Sequence, residues 1–111
     1  MKEIIWVKAA RKDFGNFPIF VQDKMAVALV TAAEGKMADF AKPLKGFGSG
    51  VFEIALPWRT DAWRVIYAVQ IGDLIWVLHA FQKKSTSGIS TSKRDLELIK
   101  SRLRNVKDEM K

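Results

Sequence analysis

Arg64, His79, Phe81, Lys83 and Lys84 are the residues of this chain whose types could do chemistry together. The runs Ala62–Gln70 and Leu74–Phe81 are rich in β-branched and aromatic residues and flank Ile71-Gly72-Asp73. They read as the strands of a hairpin closed by a two-residue Gly72-Asp73 turn. That turn sets Ile71 opposite Leu74, and therefore Tyr67 opposite Leu78, Ile66 opposite His79 and Arg64 opposite Phe81. Side chains alternate along a strand. One face then collects Trp63, Val65, Tyr67 and Val69 beside Leu74, Trp76, Leu78 and Ala80, and is expected to be the core face. The other collects Arg64, Ile66, Ala68 and Gln70 beside Ile75, Val77, His79 and Phe81, with Lys83 continuing the same parity and Lys84 next to it.

Cross-strand neighbours lie roughly 4.5–5.5 Å apart at Cβ, so this second face gathers a proton-transfer group, an aromatic ring and three positive charges. No carboxylate is expected within the patch and no serine–base pair is evident. Hydrolysis by paired carboxylates or by an activated serine is therefore poorly supported, and Mg²⁺ chemistry lacks its ligands. RNA carries its own nucleophile, the 2′-hydroxyl, beside each phosphodiester. An enzyme acting on it needs to align that hydroxyl, take its proton, stabilise a dianionic phosphorane and protonate the leaving 5′-oxygen. His79 suits either proton transfer because an ordinary histidine titrates near working pH. Arg64, Lys83 and Lys84 can hold the developing charge, and Phe81 can stack a splayed base. The same residues also fit a plainer description: a hydrogen-bonded strand histidine and a packing phenylalanine.

The elements that must position this patch follow from local signals. Lys2–Lys8 reads as a first strand. A long helix follows, with Asn16 as N-cap, Pro18 in the first turn and Gly35 as the stop. Phe17, Phe20, Val21, Met25, Ala28 and Leu29 cover one side of it, while Ile19, Val27 and Val30 make much of the other side apolar too. A helix apolar on two sides is either deeply buried or shared with another chain; a short second helix over Lys36–Ala41, ended by Pro43, would also cover it. Leu44–Gly50 is a glycine-containing loop that precedes a strand, Val51–Leu56, and so is not a dinucleotide fingerprint. A last helix starts near Thr91 or Ser92, with Ser92-x-x-Asp95 as a capping box. Leu96, Ile99, Leu103, Val106 and Met110 form its apolar stripe, and Lys93, Lys100, Arg104 and Lys107 form a cationic edge. Such an edge can follow a phosphate backbone, or simply be a solvated face.

Charge agrees in direction. The 111 residues carry 19 Lys+Arg against 12 Asp+Glu, a formal +7. Residues 1–40 hold only one of these excess charges, and 83–107 hold eight basic residues against Asp95 and Glu97. A one-ended excess suggests a polyanionic partner. With 49% apolar and 28% charged residues the chain is a globular domain, not a disordered one. Zero cysteines exclude disulfides and a cysteine nucleophile, and one histidine excludes a multi-histidine metal cluster. No apolar run approaches the roughly 18 residues that span a membrane, and Met1–Lys8 lacks a signal-peptide pattern, so a cytoplasmic location is expected.

Three segments together resemble a known family: Lys42–Ile54, Trp63-Arg64-Val65-Ile66-Tyr67, and Val77-Leu78-His79-Ala80-Phe81-Gln82-Lys83-Lys84-Ser85. They are similar to the phage-derived RelE/HigB-like toxins of the RelE/ParE superfamily, with the match running over nearly the whole chain as one domain, 1–111. The resemblance implies an α+β fold: two N-terminal helices packed on a twisted antiparallel sheet of about four strands, plus a C-terminal helix. It implies the toxin of a type II toxin–antitoxin pair, an endoribonuclease cutting mRNA on the ribosome without a cofactor or metal. Its partners would be a helix-turn-helix antitoxin, the ribosome and mRNA, with operator DNA reached only through the antitoxin. By position, Arg64 matches the family's strand arginine, Lys45 the basic position before the first hairpin, and Lys83 and Lys84 the basic end of the last strand. His79 belongs to the subgroup's own segment. The chain lacks the C-terminal tyrosine that some relatives use. A ParE-like gyrase inhibitor and a non-catalytic nucleic-acid-binding module are the competing expectations.

Overall fold

The computed structural model describes residues 1–84 and 91–110. In chain order these form β1 (Glu3–Trp6), α1 (Lys8–Phe14), α2 (Ile19–Ala33), β2 (Ala41–Pro43), β3 (Val51–Trp58), β4 (Asp61–Ile71), β5 (Leu74–Lys84) and α3 (Lys93–Glu109). One five-stranded sheet has the order β1-β5-β4-β3-β2. All neighbours are antiparallel except β1, which runs parallel to β5. The expected α+β class holds, with five strands in place of about four: the addition is the three-residue β2, and the expected first strand, β1, joins the otherwise antiparallel sheet as a parallel edge.

The N-terminal helices are two, but not the two that local signals suggest. The second precedes the long helix: α1 buries Ala10 and Phe14, four residues apart, beneath its short span. Lys36–Ala41 forms no helix. Ala41 pairs instead with Ile54 and Pro43 with Phe52 on the outer flank of β3, where an edge strand tolerates a residue without an N–H. Pro18, not Asn16, is the residue capping α2, and Gly35 ends it as expected. Gly35 has φ 87°, its N–H bonds to Ala32 O and that of Lys36 to Thr31 O. This is the paired closure that satisfies the last carbonyls of a helix, and its left-handed residue is ordinarily glycine.

The β4–β5 register differs from a simple alternation in a way that re-sorts the faces. Ile71 does face Leu74, Ile66 faces His79 and Arg64 faces Phe81, but Tyr67 faces Val77 and Ala68 faces Trp76. Leu78 is thus an extra residue on β5, and a second irregularity between Ala68 and Ile71 restores the count. A bulge of this kind reverses side-chain parity beyond it. Ile75 and Val77 therefore join Val65, Tyr67 and Ala80 in the core under α2, packed with Val21, Met25, Ala28 and Leu29. Leu78 and Trp76, expected on that face, join Ile66 and Ala68 on the other side. There α3 covers them with Ile99, Leu103 and Val106. The sheet is accordingly sandwiched, α1 and α2 on one face and α3 on the other.

Candidate active site

Arg64 and His79 both lie on the α3 side of the sheet, and both are buried at 5% exposure. The Arg64 guanidinium donates from Nη1 to Glu53 Oε2 at 3.1 Å and to Thr91 Oγ1 at 3.2 Å, and the Thr91 hydroxyl donates to the same Glu53 oxygen at 2.5 Å. Glu53 stands opposite Ile66 in the β3–β4 ladder and Arg64 opposite Ala55, so the pair is diagonal across one face. Buried charges need such partners, because an ion removed from water without one is expensive. Glu53, Arg64 and Thr91, with Lys42, Pro43, Leu44, Lys45 and Leu96, line a cleft of about 280 Å³. Lys45, exposed on the loop after β2, therefore shares a cleft with Arg64.

His79 is bound on both ring nitrogens. Nε2 lies 2.8 Å from Asp95 Oδ1 and Nδ1 lies 3.3 Å from Arg102 Nη1. Arg102 also donates to Leu78 O at 2.9 Å. A guanidinium only donates, so Nδ1 accepts and the ring proton sits on Nε2, aimed at Asp95: the imidazole is neutral. Its pKa lies below the usual range in agreement, because burial outweighs the upward pull of the Asp95 hydrogen bond and charge; Arg102 adds to the lowering and Asp13 opposes it. For Asp95 burial pulls the pKa up, but hydrogen bonds with His79 and Ser92 and the charges of His79 and Lys83 outweigh it, leaving the carboxyl below its ordinary value. Phe81 stacks on the imidazole at 4.5 Å between centroids and 20° between planes.

The expectation of a patch without carboxylates is therefore corrected: Glu53 and Asp95 stand at its centre. Glu53 was missed because β3 had not been placed in register with β4. The short Arg59-Thr60 connection carries that information, since it sets Glu53 on the same face as Arg64. Asp95 and Arg102 were missed because they flank the apolar stripe of α3 seven residues apart, on the side opposite its lysines. Ser92 does cap α3, accepting from Asp95 N and donating to Asp95 Oδ2.

The remaining predicted residues fall in different places. Lys83 lies close enough to Asp95 to act on its titration. Beyond its place at the end of β5, the Lys84 side chain lies outside the described residues, as does Ser85 of the segment that carried the resemblance. Lys93 opens α3. Lys100, Arg104 and Lys107 line a separate shallow groove of about 360 Å³ with Leu103 and Asp108, roughly 10 Å further along the helix from Leu96. They are not brought to Arg64. No helix among the described residues is long and apolar enough to cross a membrane.

The family described as "Phage derived protein Gp49-like (DUF891)" matches residues 12–104. The chain belongs to this family. Its fold is that of the RelE toxin. The crystal structure of isolated E. coli RelE in its P21 form superposes with a TM-score of 0.59 at 18% identity, over 91% of this chain and 98% of that one. A double-alanine mutant of E. coli RelE in the free state gives 0.60 at 15% identity, over 94% and 96%. No curated protein matches. At these identities the RelE likeness speaks for the architecture, and the side chains of the Gp49-like chain speak for themselves.

Proposed function

We propose that this Gp49-like, RelE-fold chain is the toxin of a type II toxin–antitoxin pair and cuts mRNA on the ribosome by metal-free attack of a 2′-hydroxyl on its phosphodiester. The observation that carries the reading is Arg64, held by Glu53 and Thr91 in a cleft it shares with Lys45. A guanidinium fixed in advance stabilises a dianionic phosphorane without reorganising when the charge develops. Lys45 adds charge beside it in the cleft, and Lys83 stands near Asp95 at the basic end of β5; Lys84 is retained from the resemblance to the family. His79 is the proposed base. A ring kept neutral by burial is in the state a base requires, and Asp95 on Nε2 stabilises the imidazolium that forms. Its Nδ1 is the acceptor, reached by substrate once the longer contact to Arg102 gives way. Phe81, stacked on that ring, provides the surface for a base. The antitoxin is assigned to α2, whose Ile19 and Val27 are 70% and 66% exposed.

The test is inducible expression in bacteria with 5′ ends mapped on translated and untranslated copies of one transcript. Cleavage confined to the translated copy, and reduced about a hundredfold by His79→Asn and by Lys45→Ala, is expected. Growth arrest with intact transcripts, or full cutting by both variants, overturns the reading.

A further inference from the structure

On the sheet face opposite the cleft, four side chains form an exposed ladder. Trp58 ends β3, and the Arg59 guanidinium lies over its ring at 4.5 Å. Phe20 of α2 stacks on the Trp58 ring at 5.9 Å and 26°. The Lys24 ammonium lies 5.6 Å from the Phe20 centroid. Arg59 and Lys24 are exposed, Phe20 is 48% exposed and Trp58 half-buried. The order along the ladder is cation, ring, ring, cation.

Arg59 holds φ 59°, alone among the described non-glycine residues in having a positive φ. It occupies the two-residue Arg59-Thr60 connection of the β3–β4 hairpin, where glycine meets no steric penalty. A long, charged side chain kept in a backbone conformation that disfavours it is a reason to look for a role at that tip. The tip also lies at the end of the sheet where the basic strand ends: Trp58 pairs with Asp61, and Asp61 with Lys84. Arg64 is three residues along β4 from Asp61, roughly 10 Å at strand rise.

We infer that the Phe20–Trp58–Arg59–Lys24 ladder is a second contact for single-stranded RNA, engaging a base a few nucleotides from the reacting phosphate. The inference rests on the RNA reading of the cleft and extends it to a different face. Every nucleobase has a π-face, and a guanidinium already placed over an indole leaves its outer side open to one. Lys24, at the far end of the ladder, is left to meet a phosphate elsewhere on the same strand. Asp61 at the tip is engaged by Gln82, and Asp23 beside Lys24 is the nearest opposing charge in sequence. Larger purine faces should stack better than pyrimidines.

The test uses the full chain and a labelled, 2′-O-methylated single-stranded oligonucleotide read by fluorescence anisotropy. Arg59→Gly removes the cation and the strain together, so it should fold at least as stably as the parent while binding about tenfold more weakly. Arg59→Lys keeps charge without the planar group and should fall between the two. Unchanged affinity in Arg59→Gly overturns the inference, as does failure of the parent to bind. So does loss by Arg59→Gly of binding to poly-glutamate with RNA binding intact, which would make the tip a protein-binding face. The cleft reading stands or falls separately, on the transcript mapping of the Lys45 and His79 variants.

Discussion

His79 shows how a single side chain records its surroundings. Buried, bonded to Asp95 and Arg102 and feeling the charge of Asp13, it titrates below its usual 6.5. The unfolded chain takes up a proton on this ring below about 6.5, whereas the folded chain resists until the pH is lower. The corresponding stability is therefore complete above 6.5 and is lost as the pH falls through the folded pKa. Asp95, held below 3.8, contributes in the same sense but only in more acidic solution. The thermal midpoint should be nearly flat above pH 6.5 and decline below it, with the upper part of that decline absent in His79→Asn. Parallel curves for parent and variant would mean that the ring takes its proton equally in both states. Arg64 carries a larger burden. Removing it leaves Glu53 buried at 2% exposure without its cation, and Arg64→Ala should lose about 3–5 kcal/mol in denaturant titration. Arg64→Lys should lose much less while forfeiting the planar fork that a phosphate needs.

At the scale of elements, the Gly72-Asp73 turn, the start of α3 and the glycine stop of α2 were legible because each is written in a few adjacent residues. The positive φ of Gly35 makes one of these measurable: Gly35→Ala should cost about 1 kcal/mol in thermal or chemical unfolding, against no effect if the closure were loose. The bulge at Leu78 was not legible. Ile75 and Val77 are as apolar as Trp76 and Leu78, so both parities present a good core face and alternation cannot choose between them. The helix α1 was hidden for a related reason: seven residues hold two turns, too few for a periodic pattern to separate from the preceding strand. Half of the candidate site followed the same rule. Arg64, His79 and Phe81 came from one local turn, Glu53 needed the register of a second hairpin, and Thr91, Asp95 and Arg102 reach them from the segment that docks as α3.

At the scale of the molecule, the positive charge is divided between two regions that do not merge, the cleft at Lys45 and Arg64 and the groove at Lys100, Arg104 and Lys107. If the cleft acts on RNA as proposed, charges remote from it contribute to attachment and not to the chemical step. Lys100→Ala with Arg104→Ala should weaken association with ribosomes and lower the dependence of log affinity on log salt by about one per removed charge. Cutting at saturating protein should be unchanged; a loss there would move the groove into the chemistry. The sandwich also has an order in time. Thr91, Asp95 and Arg102, which hold Arg64 and His79, all lie within the last 21 of the 111 residues. A chain emerging from synthesis can complete both strands of the central hairpin before any of these partners exists. The cleft thus gains its geometry only once the segment carrying Thr91, Asp95 and Arg102 has docked on a hairpin that is already complete, so its assembly reports the docking of α3 and not the formation of the sheet.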